Sequence, residues 1–445
     1  MFTAENFRRI FDSENRKGLD VAGLYFPHLD PMTHAIRDKV AELRKWRKDN
    51  ASLSVTAFES GEAKLKAELT ELKAEKSEAI DVEMEKLSAD VAKSDFKLEL
   101  SQKTGPKGKP VYCIDGSPAT FFVVKQLQWN IYRIYKVKQS NRQDLACRVR
   151  DTIGTGFPFE FVRTDVSDFY ESIDRDALYR KLDSDQLLSS SSKRFIRQIF
   201  TSYETLSGNK KGIPRGVGIS AYLAELFLRP VDHAISELAG AVLYCRYVDD
   251  IFAVFARPPS GEALGSYKGR ILAILSNNGL VHNAGKTAEF DLGDKGGPKK
   301  FDYLGYSFTA TLRTLEIEPT DAKIDKLRQR LESTFLEYWR AVPTRQRQAF
   351  REILARVKFL TGNARLKNSK SSATTGIYYN NPLITNLKKY EPLDTLLKKK
   401  IQQIKRPKLR FSLNKYRFKS GFEERRFHNF SSRELQTIVK AWNNV

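Results

Sequence analysis

The sequence predicts an α+β fold in which a strand-rich middle lies between helical ends. In residues 1–95, and again after Pro319, apolar residues recur three and four positions apart, as on one face of a helix. Between these parts, short runs rich in valine, isoleucine, phenylalanine and tyrosine surround Asp165 and Asp249, as in buried strands. The chain has 445 residues, 41% of them hydrophobic, which is enough for two or three subdomains around a shared core.

The predicted elements follow one another along the chain. The N-terminal part is helical, with residues 62–91 forming one surface helix. FKLEL and PVYCI flank the basic, turn-rich SQKTGPKGK, which predicts a hairpin. A helix is expected over residues 121–153, a strand at FEFVRTDV and a helix from Ser167. Two strands, VLYCRYV and IFAVFA, flank Asp249 and Asp250. Later residues predict a helix over 266–277, a strand or turn over 301–308, and helices from Pro319 onward.

The charge balance favours a polyanionic partner. There are 76 Lys and Arg residues against 54 Asp and Glu, a net charge of +22. Because the cations recur along the whole chain among tyrosines and phenylalanines, nucleic acid is a better fit than one local basic tail.

Cellular location is predicted from two further features. Cys113, Cys147 and Cys245 lie far apart, so neither a zinc site nor a disulfide framework is expected. The N-terminus lacks an apolar signal core, and no apolar run approaches the roughly 20 residues of a membrane span. A cytoplasmic protein without a membrane partner is therefore expected.

Three aspartates give the strongest chemical signal. Asp249 and Asp250 are adjacent between two apolar, β-rich runs, and an ordinary hairpin turn would explain that pair alone. Asp165 ends another predicted strand, which adds a carboxylate from a separate element. Two Mg²⁺ ions about 3.5–4 Å apart require such an arrangement, because carboxylates from different elements bridge them. The pattern predicts a two-metal site for Mg²⁺, with Mn²⁺ as a substitute.

Five segments in order resemble the motif series of reverse transcriptases. They are TDVSDFYESID, GIPRGVGIS, YVDD, NAGKT and YLGY, within residues 96–310. The resemblance implies a right-hand polymerase fold with fingers and palm, followed by an α-helical thumb and C-terminal domain. It divides the chain into a helical N-terminal extension (1–95), fingers and palm (96–310), and a helical thumb with a basic C-terminal domain (311–445).

The same resemblance implies a role for each motif residue. Asp165 and Asp249 would be direct metal ligands, with Asp250 a ligand or supporting acid, and Lys286 would be a general acid. The remaining implied residues are Val166 at the metal site, Tyr303, Leu304 and Gly305 as primer grip, and Phe169, Tyr170, Arg215, Gly216, Lys107 and Lys109 at the nucleotide.

Tyr170 has a more specific implication. It follows Asp165 by five residues, where similar enzymes carry an aromatic ring that clashes with a 2′-hydroxyl and so selects deoxynucleotides. The alternative is a core tyrosine on an amphipathic helix. Arg215 stands where many retroviral and retron enzymes have glutamine, so template handling is expected to differ.

A narrower resemblance is to bacterial defence-associated reverse transcriptases, the group that includes abortive-infection polymerases with a retron- or group II-like core. It rests on GIPRGVGISAYLAELFL, RYVDD, FLTGNARL and GIYYNNPLI. It implies DNA synthesis from dNTPs in antiphage defence, on an RNA template such as a noncoding RNA or without a template. It also implies a homo-oligomer or a companion defence protein. No nuclease motif is recognised after YLGY, which disfavours a maturase.

Alternatives stay open at the level of sequence. One is a retron or intron-derived reverse transcriptase that copies a cognate RNA, and another is a catalytically inert RNA-binding scaffold. Tyr378, Tyr379 and Tyr416 are candidates to prime a protein-linked strand, against packing or base stacking. In the basic, aromatic tail at residues 405–427, the residues predicted to bind RNA or product DNA are Lys408, Arg410, Arg417 and Lys419.

Overall fold

The structure is a computed structural model that describes residues 1–105, 108–256, 266–293, 296–366 and 373–442. It is a mixture of helix and sheet, as the sequence predicts, and helix predominates. The chain divides into two compact units. The first unit comprises residues 1–139 and 167–229, and the second comprises residues 140–166 and 230–445. Lys107 lies outside the described residues.

The helices are, in chain order, α1 (Ala4–Arg16), α2 (Val21–Tyr25), α3 (Asp30–Asp49), α4 (Val55–Ala92), α5 (Pro118–Tyr135), α6 (Arg142–Ile153), α7 (Phe169–Ser172), α8 (Arg175–Ser184), α9 (Ser190–Ser207), α10 (Gly218–Ser236), α11 (Tyr267–Asn277), α12 (Asp321–Thr361), α13 (Glu391–Gln402), α14 (Pro407–Leu413), α15 (Phe418–Glu423) and α16 (Ser432–Lys440). Among the described helices, none is long and apolar enough to cross a membrane.

The strands are β1 (Leu100–Thr104), β2 (Pro110–Ile114), β3 (Glu160–Asp165), β4 (Ala241–Tyr247), β5 (Asp250–Phe255), β6 (Ala288–Asp291), β7 (Lys299–Tyr303), β8 (Tyr306–Ala310), β9 (Leu315–Pro319), β10 (Asn363–Leu366), β11 (Ala373–Gly376) and β12 (Phe427–His428). They form sheets in the orders β1-β2, β4-β5-β3-β6, β7-β8-β9 and β11-β10-β12.

Two helix predictions are wrong in their bounds. The single helix expected over residues 121–153 is broken, because Lys136 adopts a left-handed conformation (φ 50°) after α5. Asn141 then starts α6 by accepting a hydrogen bond from the Gln143 amide at 2.9 Å. The helix expected from Ser167 begins only at Phe169 and lasts four residues, since Asp168 is also left-handed (φ 41°).

The first unit includes the N-terminal helices. The Phe7 ring of α1 lies 5.6 Å from the Phe122 ring of α5. Arg8 of α1 pairs with Asp81 of α4 at 2.7 Å. Both phenylalanines are fully buried, so residues 1–95 supply part of this unit's core.

The second unit is built on the four-stranded antiparallel sheet β4-β5-β3-β6. Phe161 of β3 and Phe252 of β5 are fully buried, and their rings stack with centroids 5.4 Å apart. Phe301 of β7 packs against both rings at 4.8 and 5.3 Å. This aromatic core fixes the two central strands, whose ends carry the predicted acids.

Candidate functional site

The sheet of the second unit brings the three predicted acids together. β3 pairs with β5 in antiparallel register, and Asp165 is the direct cross-strand partner of Asp250. Directly opposed residues share one face of a sheet, with Cβ atoms about 4.5–5.5 Å apart. Asp249 lies in the turn between β4 and β5, and its carbonyl accepts a hydrogen bond from the Val166 amide at 3.2 Å. Val166 itself is buried directly after Asp165.

The turn that carries Asp249 is strained. Val248 and Asp249 form a two-residue connection between Tyr247 and Asp250, which pair with each other. Val248 has a φ of 58°, a conformation that a β-branched side chain rarely adopts. Glycine is the usual residue at the first position of such a turn when only that position has a positive φ. Surrounding contacts must therefore hold Val248 in place.

An arginine–aspartate pair supplies those contacts. Arg246 of β4 donates a hydrogen bond to the Val248 carbonyl at 2.9 Å. Its guanidinium also donates two hydrogen bonds to the Asp232 carboxylate of α10, at 2.6 and 2.8 Å. The Tyr244 hydroxyl donates to the same carboxylate at 2.6 Å. These residues position the turn, and sequence reasoning missed them because nothing in their spacing shows the contact.

Two cations face the acids. Lys286 Nζ lies 2.7 Å from Asp165 Oδ2. Arg163, two residues before Asp165 on the same face of β3, donates to both carboxylate oxygens of Asp250 at 3.3 and 3.4 Å. Burial raises the pKa of Asp250, Arg163 opposes that rise, and Asp165 and Asp249 add to it.

Oxygen-rich carboxylates are ligands that Mg²⁺ prefers. Among the described residues, however, no three His, Cys, Asp or Glu side chains already converge as a metal cluster. Lys286 pairs with Asp165, and Arg163 pairs with Asp250. Asp165 and Asp249 are the candidate metal ligands, and a metal at Asp165 would have to displace Lys286.

The Lys286 segment is docked directly on β3. The Asn283 amide donates to the Asp165 carbonyl at 2.7 Å, and the Asn283 side chain caps the turn that carries Lys286. Thr287 meets the Thr164 hydroxyl at 2.8 Å. The backbone that carries Lys286 is therefore held in place. Its long side chain, which is half exposed, brings the ammonium to Asp165.

The first unit groups the predicted nucleotide-binding residues around Arg215. Its guanidinium lies 3.1 Å from the Glu171 carboxylate and 5.8 Å from the centre of the Tyr170 ring. Phe169 packs against Tyr170, with ring centroids 5.3 Å apart. Arg215 thus has a carboxylate partner within the protein, which its sequence position did not reveal.

The β1–β2 hairpin lies on this cluster. The Tyr112 amide of β2 donates to the Arg215 carbonyl at 2.7 Å. Gly216 has a φ of 99°, and a Cβ there would lie 2.5 Å from a Val111 methyl group and 2.7 Å from the Tyr112 carbonyl, so glycine is required. Lys109, next to β2, pairs with Asp168 at 3.0 Å, and both side chains are exposed.

The predicted primer grip is the β7–β8 turn in the second unit. The side chains of Tyr303 and Leu304 are buried in the core. At the turn itself, only backbone atoms and Gly305 are therefore available for contact with a primer. Leu304 and Gly305 both have positive φ values, as in a type I′ hairpin. Arg142 of α6 donates two hydrogen bonds to the Leu304 carbonyl, at 3.0 and 2.7 Å.

The cations predicted in the C-terminal tail fall into two groups. Lys408 and Arg410 are exposed on α14. Arg417 and Lys419 are half-buried around the start of α15, where Lys419 pairs with Glu391 at 3.2 Å.

The three tyrosines considered for priming differ in exposure. Tyr378 packs under the Arg425 guanidinium, 4.3 Å from the ring centre, and Tyr416 packs against His428. Tyr379 is 41% exposed.

Comparison with known proteins gives one family match. Residues 136–308 match the family model described as "Reverse transcriptase (RNA-dependent DNA polymerase)". This part of the chain is therefore similar to the reverse transcriptase domain. The match supports RNA-directed DNA polymerase as the enzyme class.

The other comparisons add little. No curated protein matches the chain. Among solved structures, it is similar to an apo telomerase from Candida tropicalis truncated from its C-terminal domain, with 12% identity and a TM-score of 0.33. That likeness covers 50% of this chain and 54% of the telomerase chain, so the chain spans about half the length of that structure.

Proposed function

We propose that this protein synthesises DNA from deoxynucleoside triphosphates by two-metal catalysis, with RNA as the template. The observation that carries the proposal is the register that sets Asp165 opposite Asp250 with Asp249 in the adjoining turn, inside the segment that matches reverse transcriptases. Asp165 and Asp249 are the proposed direct ligands, supported by the Val166 backbone between them.

Two Mg²⁺ ions at these carboxylates would activate a primer 3′-hydroxyl and stabilise the triphosphate and leaving pyrophosphate. The other residues have supporting tasks. Arg163 holds Asp250 so that it orients the site. Lys286, once released from Asp165, is long enough to donate a proton to a nearby leaving oxygen.

Tyr170 is the proposed selector of the sugar. Glu171 fixes Arg215 by a salt bridge, and Arg215 lies over the Tyr170 ring. The Tyr170 carbonyl also accepts a hydrogen bond from the Ile213 amide at 2.7 Å. A ring held at both its face and its backbone can exclude a 2′-hydroxyl, because it cannot move aside at little cost.

The experiment is a synthesis assay on the purified chain. Each dNTP is supplied separately and then together, with and without RNase pretreatment, and any product is sequenced. The Asp249→Ala variant should lose synthesis by several orders of magnitude, while Asp325→Ala, an exposed acid on α12, serves as the matched control. Synthesis by Asp249→Ala at the control rate would refute the catalytic proposal and favour an RNA-binding scaffold.

We also propose a role in antiphage defence, which the wider motif resemblance supports. Cells that express the wild-type chain should resist phage, and Asp249→Ala should remove that resistance. A structured RNA joined to a branched cDNA in the purified protein would instead favour a retron. The same proposal includes a noncoding RNA template or template-free synthesis, and a companion protein or a homo-oligomer. Identification of the RNA, DNA and protein that copurify with the chain distinguishes among these possibilities.

A further inference from the structure

A groove between α1 and α5 of the first unit is not used by the proposed catalytic function. It has a volume of about 530 Å³ and runs between the exposed face of α1 and one face of α5. Its floor includes Ile10 and Gln126, and the two helices are pinned together by Lys125, which bonds to Glu14 at 2.9 Å. The groove is therefore part of a fixed framework.

One side of the groove presents two large aromatic rings. Trp129 and Tyr132 of α5 are 48% and 45% exposed, with centroids 6.1 Å apart and planes inclined by 35°. The Arg133 guanidinium lies 5.7 Å from the centre of the Trp129 ring. Adjacent exposed aromatics beside cations are what single-stranded nucleic acid uses for base stacking.

The other side of the groove is basic. Arg9 and Arg16 of α1 line it, as does Lys17 directly after α1, and all three are exposed. The buried Glu14 carboxylate is offset by both Lys17, at 2.7 Å, and Lys125, so it leaves no net negative charge. Arg9 pairs with Glu5 only at the exposed surface, where an ion pair contributes little.

We propose that this groove binds single-stranded nucleic acid, with bases stacked on Trp129 and Tyr132 and phosphates held by Arg9, Arg16 and Lys17. The charge of the lining favours a nucleic-acid strand over a protein partner, because cations flank the rings where a protein interface would place an apolar core. The residues proposed to bind the strand come from α1, from the position directly after it and from α5, so the proposal uses no residue of the acid site or of the C-terminal tail.

The test measures binding without synthesis. All variants carry Asp249→Ala, and fluorescence anisotropy follows labelled 12-nucleotide rU and dT strands across a range of salt concentrations. Trp129→Ala combined with Tyr132→Ala should weaken binding about tenfold or more, whereas the corresponding double Phe variant should retain most of it. A stronger loss for rU identifies RNA as the ligand, and a stronger loss for dT identifies DNA.

Charge is tested with a matched triple variant. Arg9→Gln, Arg16→Gln and Lys17→Gln together should flatten the log–log salt dependence by about 2, from roughly 0.7 per lost phosphate contact on a single strand. Arg44→Gln, Lys45→Gln and Lys48→Gln remove the same charge from exposed sites on α3 and should leave the slope nearly unchanged.

Two results would overturn the proposal. One is binding by the double alanine variant within twofold of its parent. The other is a change in oligomeric mass on light scattering for that variant with no change in strand binding, which would make the groove a contact between copies of the chain. Because the assay measures strand binding with no dNTP supplied, neither result depends on the catalytic proposal.

Discussion

Lys286 acts as an internal cation at Asp165, so its removal should strengthen metal binding. The two charged atoms are 2.7 Å apart, with the Asp165 side chain 10% exposed and that of Lys286 51% exposed. A hydrogen bond between charged groups contributes about 1.5–3 kcal/mol when shielded. Screening at the half-exposed ammonium reduces this to about 1–2 kcal/mol. The binding free energy of a metal ion that must displace the lysine is less favourable by that amount.

In Lys286→Met, Mg²⁺ or Mn²⁺ should therefore bind about 5–30-fold more tightly in the absence of nucleotide, since 1.4 kcal/mol corresponds to a factor of ten. Calorimetry with Mg²⁺ and electron paramagnetic resonance of free Mn²⁺ measure this directly. Synthesis should fall about 100-fold or more in the same variant, because the proposed proton donor is lost. Lys398→Met, at an exposed site on α13, is the control. Equal or weaker metal binding by Lys286→Met would refute the reasoning.

Four other changes test separate features of the chain. Val248→Gly should stabilise the protein by about 1 kcal/mol in urea unfolding, because strain is relieved in the Asp249 turn; no gain would mean that Arg246 and its partners do not hold a strained residue. Burial, and secondarily Arg142, lowers the pKa of Lys323 from 10.5 to about 8, so the unfolded chain binds more protons between these values and stability should rise with pH across that window. Lys323→Met should remove that rise and increase the free energy of unfolding at pH 7 by at most about 3 kcal/mol. Urea unfolding curves of the variant and the parent at pH 7 and 10 measure this, and parallel pH profiles for the two proteins would count against a buried ammonium. Tyr170→Ala should admit ribonucleotides at a tenfold or greater relative rate, measured by incorporation of rCTP against dCTP, and unchanged discrimination would assign Tyr170 to packing. Lys408→Gln with Arg410→Gln should weaken nucleic-acid binding and lower its salt slope by about 1–2, whereas an unaltered slope would remove α14 from the binding surface.

The acid site was predictable because its elements are local. Asp165 ends a run of β-forming residues, and Asp249 and Asp250 separate two others, so the strands and the turn follow from short-range pattern. The register that places Asp165 opposite Asp250 comes from the structure, because it joins strands that lie far apart in the sequence. The 3.6-residue pattern likewise located α4 and α12, although not the kink of α12 at Arg345, shortly after Pro343.

The partners of these acids could not be predicted. Asp232 and Arg246 belong to a helix and a strand, and no spacing rule shows that a guanidinium will span them. Arg163 and Lys286 were visible as cations, but their pairing depends on which face of β3 each reaches. The break at Lys136 has no signal, since lysine has no preference for a left-handed conformation. Tyr303, predicted in the primer grip, has a fully buried side chain, and the sequence does not reveal that burial because aromatic strand residues occur both in cores and at binding sites.

The first unit is discontinuous, since residues 140–166 leave it and the chain returns at residue 167. Its N-terminal helices are fastened to the returning segment: the Phe2 ring meets Phe195 of α9 at 4.8 Å, and Arg194 reaches the Val91 carbonyl. During synthesis on a ribosome, the apolar faces of these helices that contact α9 therefore stay uncovered until α9 has been made. A truncation at residue 95 would therefore remove about half of the first unit, including part of its core, and not a separate N-terminal extension. Useful sites for fusion partners are more safely sought in exposed loops that no second segment has to complete.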